Sequence, residues 1–296
     1  MEYHNHTMFS AKNKGRNRNL IKCAVSGTIT VECGKKAGDG MILTLSVENT
    51  YVVLGVFDGE ELKFSSRMAT DRKKTGDEYA VAFRSTLELH GIRRTDIQGG
   101  IVSSVVPALI REIRQALRLI LGREPMVVGP GVKTGLNILM DNPASLGSDL
   151  VAAAVAATAE YPVPLIVADM DTATTLLAVN EKRNFVGTVI APGTALSAQA
   201  LADACDQLPR ISLEAPKEVI GRNTVDCMRS GAVFGTAAML DGLVERMERQ
   251  MGSRCTVIAT GTLAGLITPH CSREILVDEL LMLKGLQLIY EKNARK

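Results

Sequence analysis

Two stretches of the chain carry the same alternation of apolar runs and short polar turns. Residues 43–50 (Leu-Thr-Leu-Ser-Val-Glu-Asn-Thr) lead into the apolar run 51–57, and residues 165–172 (Leu-Ile-Val-Ala-Asp-Met-Asp-Thr) lead into the run 173–179. Each copy reads as an apolar strand, a polar turn ending in Thr, and a returning apolar strand. Such a turn exposes backbone N–H groups and a hydroxyl, which suit a phosphate, and a carboxylate at its start suits a hydrated cation. Taken singly, either copy reads first as an ordinary buried hairpin. The repetition favours two hairpins that grip a nucleotide between two halves of the protein.

The elements that follow each hairpin repeat as well. After the first come a turn at Asp58-Gly59-Glu60, a strand near 62–66, a helix over 77–90, a buried strand over 99–106 closed by Pro107, a helix over 109–121 and a short strand at 126–128. A linking region, 129–143, leads into a helix that starts near 146–149 and runs through the Ala-rich stretch 151–158. Three strands over 164–190, a helix over 195–205, a long helix over 225–251, a strand at 256–260 and a closing helix over 281–292 complete the pattern. This β-β-β-α-β-α order, used twice, is what a duplicated RNase H-like domain looks like. It predicts an α/β protein with mixed sheets, divided into residues 41–155 and 156–296, with an inter-domain nucleotide cleft. Residues 1–40 lack sustained periodicity and are polar and basic. They read either as a disordered arm or as a non-native extension, with translation starting at Met41. The preceding Ala37-Gly38-Asp39 can be encoded by codons containing an AGGAGA run, which resembles a bacterial ribosome-binding site.

Composition changes this picture little. The net charge of +2 is unevenly spread: seven basic and three acidic residues lie in the first forty, leaving 27 basic against 29 acidic in the rest. The folded body therefore gives no warrant for nucleic-acid binding. No apolar run approaches a membrane span. Six scattered cysteines with no CxxC pair, and four histidines without metal spacing, read as reduced packing residues in a cytoplasmic protein.

A series of short motifs then resembles one family. The second half has Asp169-Met170-Asp171-Thr172-Ala173-Thr174-Thr175, Ala191-Pro192-Gly193 with Ser197, Leu208-Pro209-Arg210, Ile220-Gly221-Arg222-Asn223-Thr224 with Ser230-Gly231, Ile258-Ala259-Thr260-Gly261 and Leu283-Lys284-Gly285-Leu286. The first half agrees through Asn49-Thr50, Leu54-Gly55, residues 75–80, residues 103–107, Asp141-Asn142-Pro143 and Gly147-Ser148-Asp149. In this order they are similar to type III pantothenate kinase, a member of the actin, sugar kinase and heat-shock ATPase superfamily. The resemblance covers Met41 to about Asn293. It implies a homodimer that phosphorylates pantothenate with ATP, the first step of coenzyme A synthesis, using Mg²⁺ and a monovalent cation, K⁺ or ammonium.

The resemblance also implies roles. Asp149 falls on the catalytic base; by itself it reads as a helix N-cap. Asp169 falls on the monovalent-cation ligand; the plainer reading is a carboxylate at a strand end. Ser46, Val47, Glu48, Asn49, Thr50, Tyr51, Val52 and Val53 correspond to the first nucleotide loop, with Thr172 and Gly261 also on the ATP side. Met140, Gly147, Ser148, Leu150 and Thr224 fall on the acceptor side, although Thr224 also reads as a helix cap. Tyr79, Lys284 and Tyr290 read as structural.

Six positions depart from the family pattern. Ser46 and Glu48 stand where the family's first loop has Asp and Gly, and Asp171 and Thr262 replace glycines. Leu150 replaces an Arg, removing a guanidinium that could bind a carboxylate or phosphate bidentately. Met140 replaces a Tyr. Added acids beside phosphates repel ATP unless a cation bridges them. The alternatives to a pantothenate kinase are thus a catalytically impaired paralogue that binds ligand or a dimer partner, and a kinase for another small hydroxy compound.

Overall fold

The computed structural model describes residues 40–294; the expectations for the N-terminal arm lie outside the described residues. The first sheet begins with a hairpin of β1 (Met41–Val47) and β2 (Tyr51–Asp58), extended by β3 (Glu61–Ala69). Helix α1 (Gly76–Leu89) then leads to β4 (Ile97–Ser104), and α2 (Ile110–Leu121) to β5 (Met126–Val127). β4 lies parallel to β1, giving the order β3-β2-β1-β4-β5.

The second half contains β6 (Asn137–Ile138), α3 (Ser148–Glu160), β7 (Leu165–Met170), β8 (Ala173–Val179), β9 (Asn184–Pro192), α4 (Thr194–Ala204), α5 (Thr224–Met251), β10 (Thr256–Thr260), α6 (Ala264–Ile267), β11 (Leu276–Val277) and α7 (Leu281–Ala294). Its sheet runs β11-β10-β7-β8-β9-β6. Around β7 this is the order of the first sheet again, with β6 added at the edge. The α/β architecture with two mixed sheets of RNase H-like order is therefore present. β6 and β11, each two residues long, are too short to register in the sequence pattern.

Side-chain spacing explains the packing. Tyr79, Phe83 and Leu87 recur every fourth residue on α1, and with Ile113, Ala116 and Leu117 of α2 they cover the alternate β1 and β2 residues Leu43, Leu45, Val52 and Leu54. Thr75 caps α1 in a reciprocal capping box with Glu78, and Gly122 ends α2 in the left-handed conformation. Tyr79 closes on the strand-to-helix loop, its hydroxyl donating to the Asp71 carbonyl at 2.8 Å.

Helices α3 and α7 fill the space between the sheets. On α3, Ala153, Ala154 and Ala157 pack with Val167 and Leu177 of the second sheet, whereas Ala152 packs with Ile101 of β4 and Leu286 and Ile289 of α7. Alanine suits a helix squeezed from two sides. Gly285 of α7 meets α3 so closely that a Cβ there would fall on the Ala152 carbonyl oxygen. Lys284 beside it pairs with Glu160 at 2.8 Å and with the buried Asp278 at 2.7 Å. No helix among the described residues is long and apolar enough to cross a membrane.

Replacing Gly285 by Ala is expected to cost about 1–3 kcal/mol, the usual penalty of overpacking. Gly265→Ala, where the added methyl meets open space, should leave stability within about 0.5 kcal/mol or raise it slightly. Urea midpoints of the two variants would separate these outcomes, and equal midpoints would show that the α3–α7 crossing yields easily.

Candidate active site

Because β1 and β4 are parallel, as are β7 and β10, four central strands present their carboxyl ends on one side. Ligands of open α/β sheets bind outside such ends. Here the strand ends deliver Ser46, Ser103, Asp169 and Thr260, and the two polar turns project beyond them. Thr50 and Thr172, at the tips of the twin hairpins and 122 residues apart, meet through their hydroxyls at 2.7 Å. Below that contact lies a crevice of about 50 Å³ whose wall includes Ser46, Glu48, Asp169, Asp171, Gly261 and Met282.

In the first hairpin the strand alternation divides the predicted loop. Val47 and Val52 turn their side chains into the first core, while Ser46, Tyr51 and Val53 line the crevice. Asn49 and Thr50 are exposed at the tip, with Arg72 donating to Asn49 Oδ1 at 3.2 Å. Glu48 is pinned by its backbone: its amide donates to the Tyr51 carbonyl at 2.9 Å, and its carbonyl accepts from Thr70 Oγ1 at 2.7 Å. Its carboxyl turns into the crevice, 3.2 Å from the Ser46 hydroxyl. That hydroxyl also lies 2.6 Å from Met282 Sδ. Burial, reinforced by Asp171, pushes Glu48 from 4.5 to about 8.

The second hairpin adds two more carboxyls. Asp169 is buried between Thr175 of β8 and Thr260 of β10, and its Oδ1 has no hydrogen-bond partner. Burial, then Asp171, Glu48 and Asp149, hold it well above the usual carboxylate range. Asp171 instead accepts from the Thr262 amide at 3.0 Å and the Thr262 hydroxyl at 2.8 Å through Oδ1. Gly261, between them, has φ +90°, and a Cβ there would sit 2.8 Å from the Met170 backbone, so only glycine fits.

Asp149 is the second residue of α3, whose start is tied to β4 by a 2.7 Å contact between the Ser148 and Ser103 hydroxyls. Its Oδ1 accepts from the Leu150 amide at 2.8 Å, and burial raises its pKa. Gly147 caps the helix against that carboxylate. Leu150 itself turns away into the second core, and Met140 packs on the same cluster. Thr224 lies elsewhere. It is the exposed first residue of α5, capped by Asn223, and lines a separate cavity of about 540 Å³ between α4 and α5.

Arg67, whose guanidinium lies 5.3 Å from the Tyr51 ring centre, is the one basic side chain on the crevice wall among the described residues. Neither Arg67 nor Met282 stands out in the sequence, since both read as ordinary positions of a strand and a helix. The carboxyl and hydroxyl oxygens of the wall and the bare Asp169 oxygen fit a hard cation, although Met282 Sδ and the Arg67 guanidinium also face the crevice. Among the described residues no three Asp, Glu, His or Cys side chains form a group that could hold a metal ion.

The raised acids fix a pH dependence. The folded chain keeps the Glu48 proton between pH 4.5 and about 8, whereas the unfolded chain releases it. The associated stability is complete below pH 4.5 and falls as pH rises through 8, and Asp149 and Asp169 act in the same direction. In EDTA, Glu48→Gln should flatten this decline, melting above the parent protein at pH 8–9 and near it at pH 5. Parallel melting curves across that range would refute the assignment.

Comparison with known proteins gives concordant results. The sequence model of the family described as type III pantothenate kinase matches residues 42–246. A type III pantothenate kinase of Halalkalibacterium halodurans is 47% identical over 254 residues, 86% of this chain and the whole of that protein. One from an Exiguobacterium species is 45% identical over 255 residues, with the same coverage. Among solved structures, a Baf family transcriptional activator of Campylobacter jejuni aligns with a TM-score of 0.52 at 16% identity, over 86% of this chain and all of that one. An ethanolamine utilization protein of Carboxydothermus hydrogenoformans aligns at 0.50 and 16%, over 88% and 94%; both likenesses concern the fold. The chain belongs to the type III pantothenate kinase family.

Proposed function

We propose that this chain transfers the terminal phosphoryl group of ATP to the hydroxyl of pantothenate, yielding 4'-phosphopantothenate for coenzyme A synthesis. The observation that supports it most is the meeting of the twin hairpins at Thr50 and Thr172, above a crevice that holds Asp169 and is felt electrostatically by Asp149. Phosphoryl transfer depends on positioning and charge neutralisation more than on covalent chemistry. In this reading the loop from Ser46 to Val53, with Thr172 and Gly261, holds the nucleotide. Asp149 accepts the proton of the acceptor hydroxyl, and its raised pKa makes it a better base than an exposed Asp. Gly147 and Ser148 lie on the acceptor side beside Asp149, and Asp169 is the cation ligand, whereas Leu150 and Met140 pack in the second core and Thr224, on its separate cavity, stands apart from them.

The cofactors of this reading are Mg²⁺ with ATP and a monovalent cation, K⁺ or ammonium, which supply positive charge against the phosphates. Homodimerisation belongs to it too, because Ile190, Leu196 and Leu201 are exposed on and beside α4, an apolar surface that a second copy would cover. The reaction is placed in the cytoplasm, in keeping with free thiols at Cys205, Cys227, Cys255 and Cys271.

A second reading, a ligand-binding protein without turnover, draws on Glu48, whose carboxyl occupies the crevice. Its pKa near 8 weakens that objection at neutral pH, where the group is uncharged and does not repel phosphate. Leu150 and Met140, joined in one apolar cluster, favour an acceptor with less charge than pantothenate.

Coupled ADP-release assays with pantothenate, Mg²⁺ and K⁺ or ammonium, beside calorimetric ATP titration, decide among these. Turnover that falls about 10²–10⁴-fold in Asp149→Asn, with ATP affinity kept, supports the kinase. ATP binding without turnover on any hydroxy acceptor supports the second reading. Turnover with a neutral acceptor alone would replace pantothenate as the substrate.

A further inference from the structure

The walls of the crevice are acidic with one exception. Glu48, Asp169, Asp171 and Glu279 line it together with a single guanidinium, that of Arg67. Strand register puts Arg67 there. It pairs with Val53 across the antiparallel β2–β3 ladder, two residues before the Ala69 that faces Tyr51, so Tyr51, Val53 and Arg67 share one face. The next residue, Met68, turns the other way and packs on the first core. The guanidinium lies over the Tyr51 ring, 5.3 Å from its centre, within reach of cation–π attraction. Beyond that contact Arg67 forms no hydrogen bond or ion pair among the described residues. Its acidic neighbours do not claim it. Glu48 keeps its proton at neutral pH, burial having pushed it up to about 8, and Asp171 accepts from the Thr262 amide and hydroxyl.

We propose that Arg67 is a phosphate-binding residue: held over Tyr51, it presents its N–H fork at the rim of the crevice to the terminal phosphates of the nucleotide. This role rests on the reading of residues 46–53 as the nucleotide loop, and it adds a residue from β3 that lies outside that loop. A guanidinium stacked on an aromatic ring still offers N–H groups in its own plane, and that fork matches two oxygens of a phosphate. The crevice holds about 50 Å³, well below the usual volume of a small-molecule site. A phosphate chain therefore engages it from the rim, where Arg67 is exposed. The other oxyanion of the proposed reaction is the acceptor carboxylate. The acceptor-side residues Gly147 and Ser148 do not line this wall, whereas Ser46, Glu48, Tyr51 and Val53 of the nucleotide loop all do. Position thus favours phosphate. Charge agrees, because phosphates entering an acidic crevice need a positive partner, and a guanidinium stays charged at every working pH.

Calorimetric titration of the full chain with MgATP and with AMP, in the absence of pantothenate, provides the test. Arg67→Gln should weaken MgATP binding about 10–100-fold, the usual effect of losing a hydrogen-bonded charge. Binding of AMP, which lacks the terminal phosphates, should change little. Arg67→Lys keeps the charge but loses the fork, so its MgATP affinity should fall in between, about 3–10-fold below the parent. A Lys variant equal to the parent would show that Arg67 acts only through its field. Unchanged MgATP affinity in the Gln variant would show no role at all, and an equal loss for MgATP and AMP would place the contact elsewhere. Each of these results overturns the proposal. The kinase reading fails separately. MgATP binding that depends on Arg67, in a chain without turnover, keeps the phosphate contact and removes the kinase. Turnover in Arg67→Gln with the parent's KM for ATP does the reverse, and a parent chain that binds no MgATP overturns both.

Discussion

The crevice depends on how two separately formed hairpins come to touch. Each is built locally, from an apolar strand that reverses through two or three polar residues, and neither can bind much alone. The hydroxyl contact between Thr50 and Thr172 exists because α3 and α7 set the distance between the sheets. Small residues make that distance short: Ala152 on one helix and Gly285 on the other bring the backbones together. A bulkier side chain at the crossing would move the two sheets apart and, with them, the turns. Site geometry is therefore controlled some distance from the site, by the packing of two helices that contribute few polar groups to it.

Within that frame the six departures from the family pattern are not independent. Ser46 donates to Glu48, and Thr262 donates twice to Asp171. Leu150 and Met140 pack on one apolar cluster. Four of the altered residues thus pair by hydrogen bonds, and the other two share one apolar cluster. Random loss of a site would scatter substitutions and leave buried polar groups unmatched. Here each new carboxyl has a hydroxyl beside it, and the Leu that replaces a guanidinium is sheltered in the core with an apolar companion. The altered positions are thus matched to one another, while Asp169 Oδ1 stays without a hydrogen-bond partner.

The fold was legible because it rests on period and order. Buried strands such as 165–170 read as continuous apolar runs, α1 and α2 show helical spacing, and the same series of elements recurs in both halves. β6 and β11 escaped because two residues carry no period. The site was legible only in part. Asp149, Asp169 and the hairpin tips stand in recognisable motifs, and the added acids are plain in the sequence. Their partners are not: Thr262 is 91 residues from Asp171, and Met282 is 236 from Ser46. Nor does sequence reveal that Val47 and Val52 turn inward while their neighbours turn out, or that Thr224 opens on a different cavity. Those outcomes depend on strand alternation and helix placement, which a motif does not encode.

The electrostatics of the crevice connect its stability to its chemistry. Elsewhere the acids are placed to be ionised: Glu248 is held below its usual range chiefly by Arg273, and Glu78 by the amide and hydroxyl of Thr75. In the crevice Glu48, Asp149 and Asp169 are all displaced upward, and burial is the leading cause for each. Charging them costs folding free energy, so the ligand-free state is the least comfortable state of the protein at alkaline pH. Positive charge brought to the crevice relieves that cost and stabilises the fold by the same amount that it is bound. The same burial that weakens the empty protein is therefore what gives a cation, or a nucleotide carrying one, its hold on the cleft.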